Sequence, residues 1–139
     1  MSTVVVVVTA LIATLGAASA AGVLVNRRSG VLRETAPGAP QDAADLGLSG
    51  MGPTVVHFTA AWCGPCASVR RVVEQVCTDL PDVSHLEVDI DAHPAAAKRL
   101  SVLSLPTTFI FDAGGRQRFR SAGVPKAAEL RQALQPLLA

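Results

Sequence analysis

The chain is poor in cysteine. Three residues, Cys63, Cys66 and Cys77, cannot build the multi-bridge framework of a small secreted domain. It also lacks an excess of charge of either sign: twelve Lys and Arg face eleven Asp and Glu, scattered rather than gathered into a stripe. That argues against nucleic acid as a partner. No Gly-rich dinucleotide fingerprint occurs, so any electrons the chain handles must come from another protein. No second Cys or His pair stands at ligand spacing from Cys63 and Cys66, which argues against a zinc site. There is no internal repeat.

One absence is local. From Val4 to Val25 there is no charged residue. As a helix rising about 1.5 Å per residue this run would span roughly 33 Å, enough for a bilayer core. Two readings stay open. Ala18-Ser19-Ala20 resembles a cleavage site, which suits an exported protein whose leader is removed. The basic segment that normally opens a leader is missing from Met1-Ser2-Thr3, however, and the run is long for one, which favours a retained transmembrane helix over residues 4–25. Arg27, Arg28 and Arg33 follow it, and the positive-inside bias then puts the remainder of the chain in the cytoplasm, with residues 1–3 outside. The expected localisation is a single-pass cell-membrane protein. Its alternative is an extracytoplasmic or secreted one.

Residues 26–52 read as a linker, rich in Ala, Gly and Pro from Ser29 onward, with Pro37-Gly38-Ala39-Pro40 at its centre. Val31–Arg33 could add a short edge strand and Asp42–Leu48 a helical turn or two. Residues 53–139 form the folded domain. Thr54–Thr59 and Ser84–Asp89 predict strands, as do Thr107–Phe111 and Arg116–Ser121, the last two joined by a turn at Ala113-Gly114-Gly115. A helix over Cys63–Leu80 carries Val69, Val72, Val73, Val76, Cys77 and Leu80 on one face, with Pro65 in its first turn. A shorter helix begins at Pro94, and a last one runs from Lys126 to about Leu138. The order β-α-β-α-β-β-α predicts an α/β fold, a mixed sheet with helices on both faces.

The residues that carry chemistry are Trp62-Cys63-Gly64-Pro65-Cys66. A strand delivers two thiols to a helix start, where free N–H groups and the helix dipole favour a thiolate. Cys63 is the candidate nucleophile. Cys66, one turn further in, is the candidate resolving thiol. Gly64 and Pro65 shape the turn, and Trp62 would shield Cys63 and offer substrate an apolar contact.

From Pro53 onward the chain resembles the thioredoxin family. The segment Val56–Cys66 is similar to its active-site strand and loop, and Val88–Pro94 to its central strand and following turn. Leu103–Phe111 resembles its proline loop, and Gly123 its glycine after the last strand. The resemblance implies a thioredoxin fold and a protein-disulfide reductase that binds no cofactor. It would work through a redox-active Cys63–Cys66 disulfide, on disulfide-containing client proteins, with electrons from a separate reductase. It implies a cis proline at Pro106 facing the disulfide, and pairing of the Leu105 backbone with a substrate strand. From the residues alone, Pro106 could equally open a strand.

The chain departs from the family where a buried acid and a lysine are usual. Here stand His57 and Glu87. They could relay a proton to or from Cys66, histidine titrating closer to neutrality than a carboxylate, or His57 could be a core histidine that a carboxylate satisfies. Thr59, Ala61 and Ala67 make the surface near the cysteines less charged and less aromatic than is usual, which implies a different choice of partner. Cys77 reads as a buried thiol, and His85 and His93 receive no role. A redox-inactive adaptor on the same fold is the remaining alternative.

Overall fold

A computed structural model describes residues 2–38 and 44–139. Helix α1 (Ser2–Arg27) has a mean hydropathy of 2.3 over its best window and no buried residue. It makes no hydrophobic face of its own because it is apolar all round, and it is long and apolar enough to cross a membrane, a test that a signal sequence also passes. It ends where charge begins: Arg28 N–H and Ser29 N–H close its last turn on Val25 and Asn26.

After it come β1 (Arg33–Glu34), β2 (Thr54–Thr59), α2 (Cys66–Asp79), β3 (Ser84–Asp89), α3 (Pro94–Arg99), β4 (Thr107–Phe111), β5 (Gln117–Ala122) and α4 (Ala127–Leu134). The five strands form one sheet in the order β1-β5-β4-β2-β3. Only β2 and β3 run parallel, because α2 forms the crossover between them. The fold is the thioredoxin fold, with the apolar α1 in front of it.

Alternation along β2 builds the two cores. Val56 and Phe58 face α3 and pack with Phe109, Phe111 and Leu100. Val55 faces the other way, with Ile110, Val69 and Val73 of α2 and Leu130 and Leu134 of α4. His57 shares the Val55 face, so a fully buried imidazole sits beneath α2 beside the apolar residues of that layer.

Several boundaries differ from the sequence expectations. Helix α2 starts at Cys66, not Cys63: Pro65 is its N-cap, and the Pro65 carbonyl accepts from both Ser68 and Val69. The edge strand lies at Arg33–Glu34 rather than Val31–Arg33, because Leu32 turns into the α4 core and its N–H reaches the Glu129 carboxylate at 3.4 Å. The strand after the glycine turn begins at Gln117, since Arg116 is held by Asp112 in the turn, its N–H at 3.0 Å from the carboxylate. The last α-helix stops at Leu134 and tightens into a 3-10 turn over Gln135–Leu137, where Pro136 brings no N–H. Of the helical turn expected at Asp42–Leu48, residues 44–46 form a 3-10 turn, and residues 42 and 43 lie outside the described residues.

Candidate active site

The site stands at one end of the sheet. Strand β2 ends at Thr59, and a short turn, closed by the Cys63 N–H on the Ala60 carbonyl at 3.0 Å, leads into α2. Phe58 pairs with Thr107, so Pro106 sits at this same end, one strand across. Thr107 pairs in turn with Ala122, which brings in Gly123, whose N–H donates to the Pro106 carbonyl at 2.9 Å. Three segments far apart in sequence thus converge: the cysteine turn, the Leu105–Pro106 loop and the Gly123 loop. The Leu105–Pro106 bond is cis.

Cys63 and Cys66 form a disulfide with a Cα separation of 5.6 Å. The two sulfurs are not equivalent. Cys66 is 2% exposed, its sulfur 4.0 Å from the Phe58 carbonyl, whereas Cys63 is partly exposed. An attacking partner can therefore reach Cys63 and not Cys66. Cys63 lies three residues ahead of the first helical residue, Cys66, at the helix end whose free N–H groups and dipole favour a thiolate. Trp62 is 72% exposed and lays an apolar surface beside the disulfide. Gly64 and Pro65 are exposed, Leu105 is half-buried and Pro106 buried.

Beneath the cysteines the parallel register sets His57 opposite Glu87. Their closest nitrogen and oxygen are 3.9 Å apart, beyond a hydrogen bond. Arg70, one turn along α2 from Cys66, holds both oxygens of Glu87, its Nε donating at 2.8 Å. The pairing with Arg70 keeps the Glu87 carboxyl below its ordinary range. The imidazole of His57 instead meets His85, Nδ1 to Nε2 at 2.9 Å, with the rings tilted by 23°. One ring must donate and the other accept, so the two tautomers are coupled.

Burial, reinforced by His85 and Arg70 and opposed by Glu87, lowers the His57 pKa to about 4. A histidine ordinarily titrates closer to neutrality than a carboxylate, but here the desolvation of a buried cation outweighs the carboxylate beside it. Burial also lowers the pKa of His85. Both rings are neutral at pH 7.

His85 and Arg70 are the site neighbours that the sequence did not single out. The signal for His85 was its position two residues before Glu87, on the same face of β3. The signal for Arg70 was its place four residues after Cys66 on α2. The polar line continues across the sheet, where His57 pairs with Thr108 and Thr108 with Ser121. All three are buried, and His57 Nε2, Thr108 Oγ1 and Ser121 Oγ find no protein partner among the described residues. Cys77 is free and half-buried, and burial pushes its thiol above its ordinary pKa, which makes it a poor nucleophile. His93 is exposed at the N-cap of α3.

The Thioredoxin family profile matches residues 47–136. A thioredoxin of Mycolicibacterium smegmatis is 38% identical over 88 residues, which cover 61% of this chain and 79% of that protein. A thioredoxin of Chlamydia trachomatis is 39% identical over 84 residues, covering 60% of this chain and 79% of the relative. Among solved structures, a thioredoxin from Trypanosoma brucei brucei superposes with a TM-score of 0.57 at 30% identity, covering 72% of this chain and 85% of its own. One from Arabidopsis thaliana in its oxidised state gives a TM-score of 0.56 at 32% identity, covering 71% and 86%. Helix α1 and strand β1 precede the matched region.

Proposed function

The chain belongs to the thioredoxin family of protein-disulfide oxidoreductases, and from that premise we propose that it reduces client disulfides at a membrane to which α1 tethers it. The observation that carries this reading is the unequal Cys63–Cys66 pair, one sulfur accessible and one buried, at a sheet end shared with Pro106.

In the forward direction the Cys63 thiolate attacks a client disulfide. One client sulfur becomes covalently joined to Cys63 and the other leaves as a thiolate. Cys66 then loses its proton and attacks Cys63. The Cys63–Cys66 disulfide closes, and the second client sulfur departs. Two electrons have passed to the client, and a separate reductase restores the dithiol. Trp62, Gly64 and Pro65 form the surface on which the client docks. The Leu105 backbone ahead of Pro106 is the pairing edge for its strand.

The proton of Cys66 needs an acceptor in a buried place. His57 is neutral, lies on the face covered by α2, and has an unpartnered Nε2. With so low a pKa it holds a proton only in passing, which is what a relay asks of it. Glu87, tied to Arg70, supplies a fixed negative charge rather than a second base. His57→Asn is expected to slow the exchange by about 100-fold, the low end of general-base effects, with unfolding still cooperative. Stopped-flow Trp fluorescence across pH reads this, and an unchanged rate profile would remove His57 from the mechanism.

Compartment sets direction. Arg27, Arg28 and Arg33 follow α1, and the positive-inside bias favours a cytoplasmic domain, where thiols are kept reduced. The test is a topology reporter fused after Ala139 in the full chain. Activity of a cytoplasmic reporter is the expected result. A signal from an exported reporter would assign the domain instead to extracytoplasmic disulfide reduction or cytochrome c maturation.

A further inference from the structure

The tether enters the domain at a particular place. Only Arg28 and Ser29 separate the last residue of α1, Arg27, from Gly30, and the three residue steps from Arg27 to Gly30 can span at most about 11 Å. At Gly30 the chain is already bound to the sheet: its N–H donates to the Ala122 carbonyl at 2.5 Å. The fit there is tight. Gly30 has φ +79, and a side chain on it would collide with the Val124 carbonyl. A Cβ on Gly123 would collide with the Ser29 side chain and come within 2.9 Å of the Gly30 nitrogen. Past Gly30 the chain runs antiparallel to β5 away from this point: Arg33 pairs with Arg120, Glu34 with Phe119, and Thr35 N–H reaches the Arg118 carbonyl.

So the tether joins the sheet at the end where β5 finishes, which is the end that carries Pro106 and the disulfide. From the tether, which lies in the β1 position beside β5, to β2 is three strand spacings, about 14 Å. The cysteine turn and the foot of α1 therefore share one end of a domain roughly 30 Å across. The groove between the tether and β5 is lined by Arg28, Arg33 and Glu34, with Arg120 tied to the Leu100 and Ser101 carbonyls, so its charge is net positive and suited to anionic headgroups.

We infer that the dithiol end of the domain is held down against the bilayer, so that its clients are disulfides lying at the membrane surface, in proteins themselves attached to the membrane. This rests on the tether reading above and adds the class of substrate. A docked connection this short denies the domain the swing that a flexible linker gives, and it gives disulfides near the surface a high effective concentration.

The test is a molecular ruler. The full chain is reconstituted in phosphatidylcholine–phosphatidylglycerol vesicles with a disulfide peptide attached to lipid through polyethylene glycol spacers of increasing length. Reduction should be fastest on the shortest spacer and fall about tenfold once the disulfide stands more than about 40 Å from the surface, beyond the reach of a docked domain. A flexible Gly/Ser insertion of about 15 residues between Arg28 and Ser29, spanning about 20 Å on average, should flatten that profile to within about twofold. Insulin reduction in detergent should not change. Gly30→Val, which undoes the docking without lengthening the chain, should flatten it as well. A wild-type rate independent of spacer length, or a profile that survives the insertion, overturns the inference. Failure of the chain to float with vesicles overturns the tether reading together with it, whereas intact flotation with a flat profile overturns the inference alone.

Discussion

Cys63→Ser is expected to abolish turnover of disulfide substrates, a loss of at least about 1,000-fold, since a hydroxyl at that position is almost never ionised and cannot form the mixed disulfide. Cys66→Ser should fail differently. Cys63 can still attack, but nothing resolves the intermediate, so clients accumulate covalently bound to the chain in a form that dithiothreitol releases. The asymmetry in burial predicts which variant traps and which does not, because only the partly exposed sulfur can meet a client. Non-reducing gels and mass spectrometry of the two variants check this. Trapping by Cys63→Ser would reverse the assignment of nucleophile and resolving thiol. Cys77 is left as the one remaining thiol in a double variant, and its raised pKa predicts slow alkylation at neutral pH.

The second large effect concerns pH and stability. His57 binds its proton with a pKa of about 4 in the folded chain and near 6.5 when unfolded. Between those values the unfolded state holds more protons, so acid favours unfolding and stability rises with pH across this window. Above about pH 6.5 the histidine is neutral in both states and contributes no slope. Integrated over the window, the cost of acid is about 3 kcal/mol, an upper figure because a loosened core would admit water before the full cost is met. Denaturant unfolding of a fragment starting at Val31, from pH 7 down to pH 4, should show this loss. His57→Asn should remove most of the slope even if it lowers stability at pH 7. His85 shifts in the same direction and will leave a smaller residual slope. The Arg70–Glu87 pair also weakens in acid, but below the ordinary carboxylate range. A parallel slope in wild type and variant would mean that His57 charges without penalty and is not sealed in the core.

Much of this was legible in the sequence because the signals were local. Thr54–Thr59 and Thr107–Phe111 are short runs rich in β-branched and aromatic residues, Pro94 marks a helix start, and Trp62–Cys66 carries its chemistry in five consecutive residues. The pairing of His57 with Glu87 could be anticipated because parallel register follows from the resemblance. What could not be read was two-dimensional. That Arg70 would take Glu87 away from His57 depends on how α2 lies across β3, and that His85 would replace it depends on which rotamers the Val69–Val73 layer leaves room for. The early start expected for α2 erred for a local reason: helix propensity and an apolar stripe do not report that Pro65 serves as the cap. The edge strand starts two residues later than expected because Leu32 finds a better place under α4 than in the sheet.

The disulfide closes a ring with only Gly64 and Pro65 between its ends, a sequence separation of 3. By the chain-entropy relation such a ring withholds only about 2 kcal/mol of disorder from the unfolded chain, against nearly 5 for a loop of 100 residues. Neither face of the sheet leans on it, since both apolar layers are assembled from residues outside the ring. The oxidised chain should therefore melt about 8 to 16 °C above the reduced one, with the same fold in both states. The molecule can gain and surrender an electron pair as often as its partners demand while its architecture stays indifferent to which state it is in.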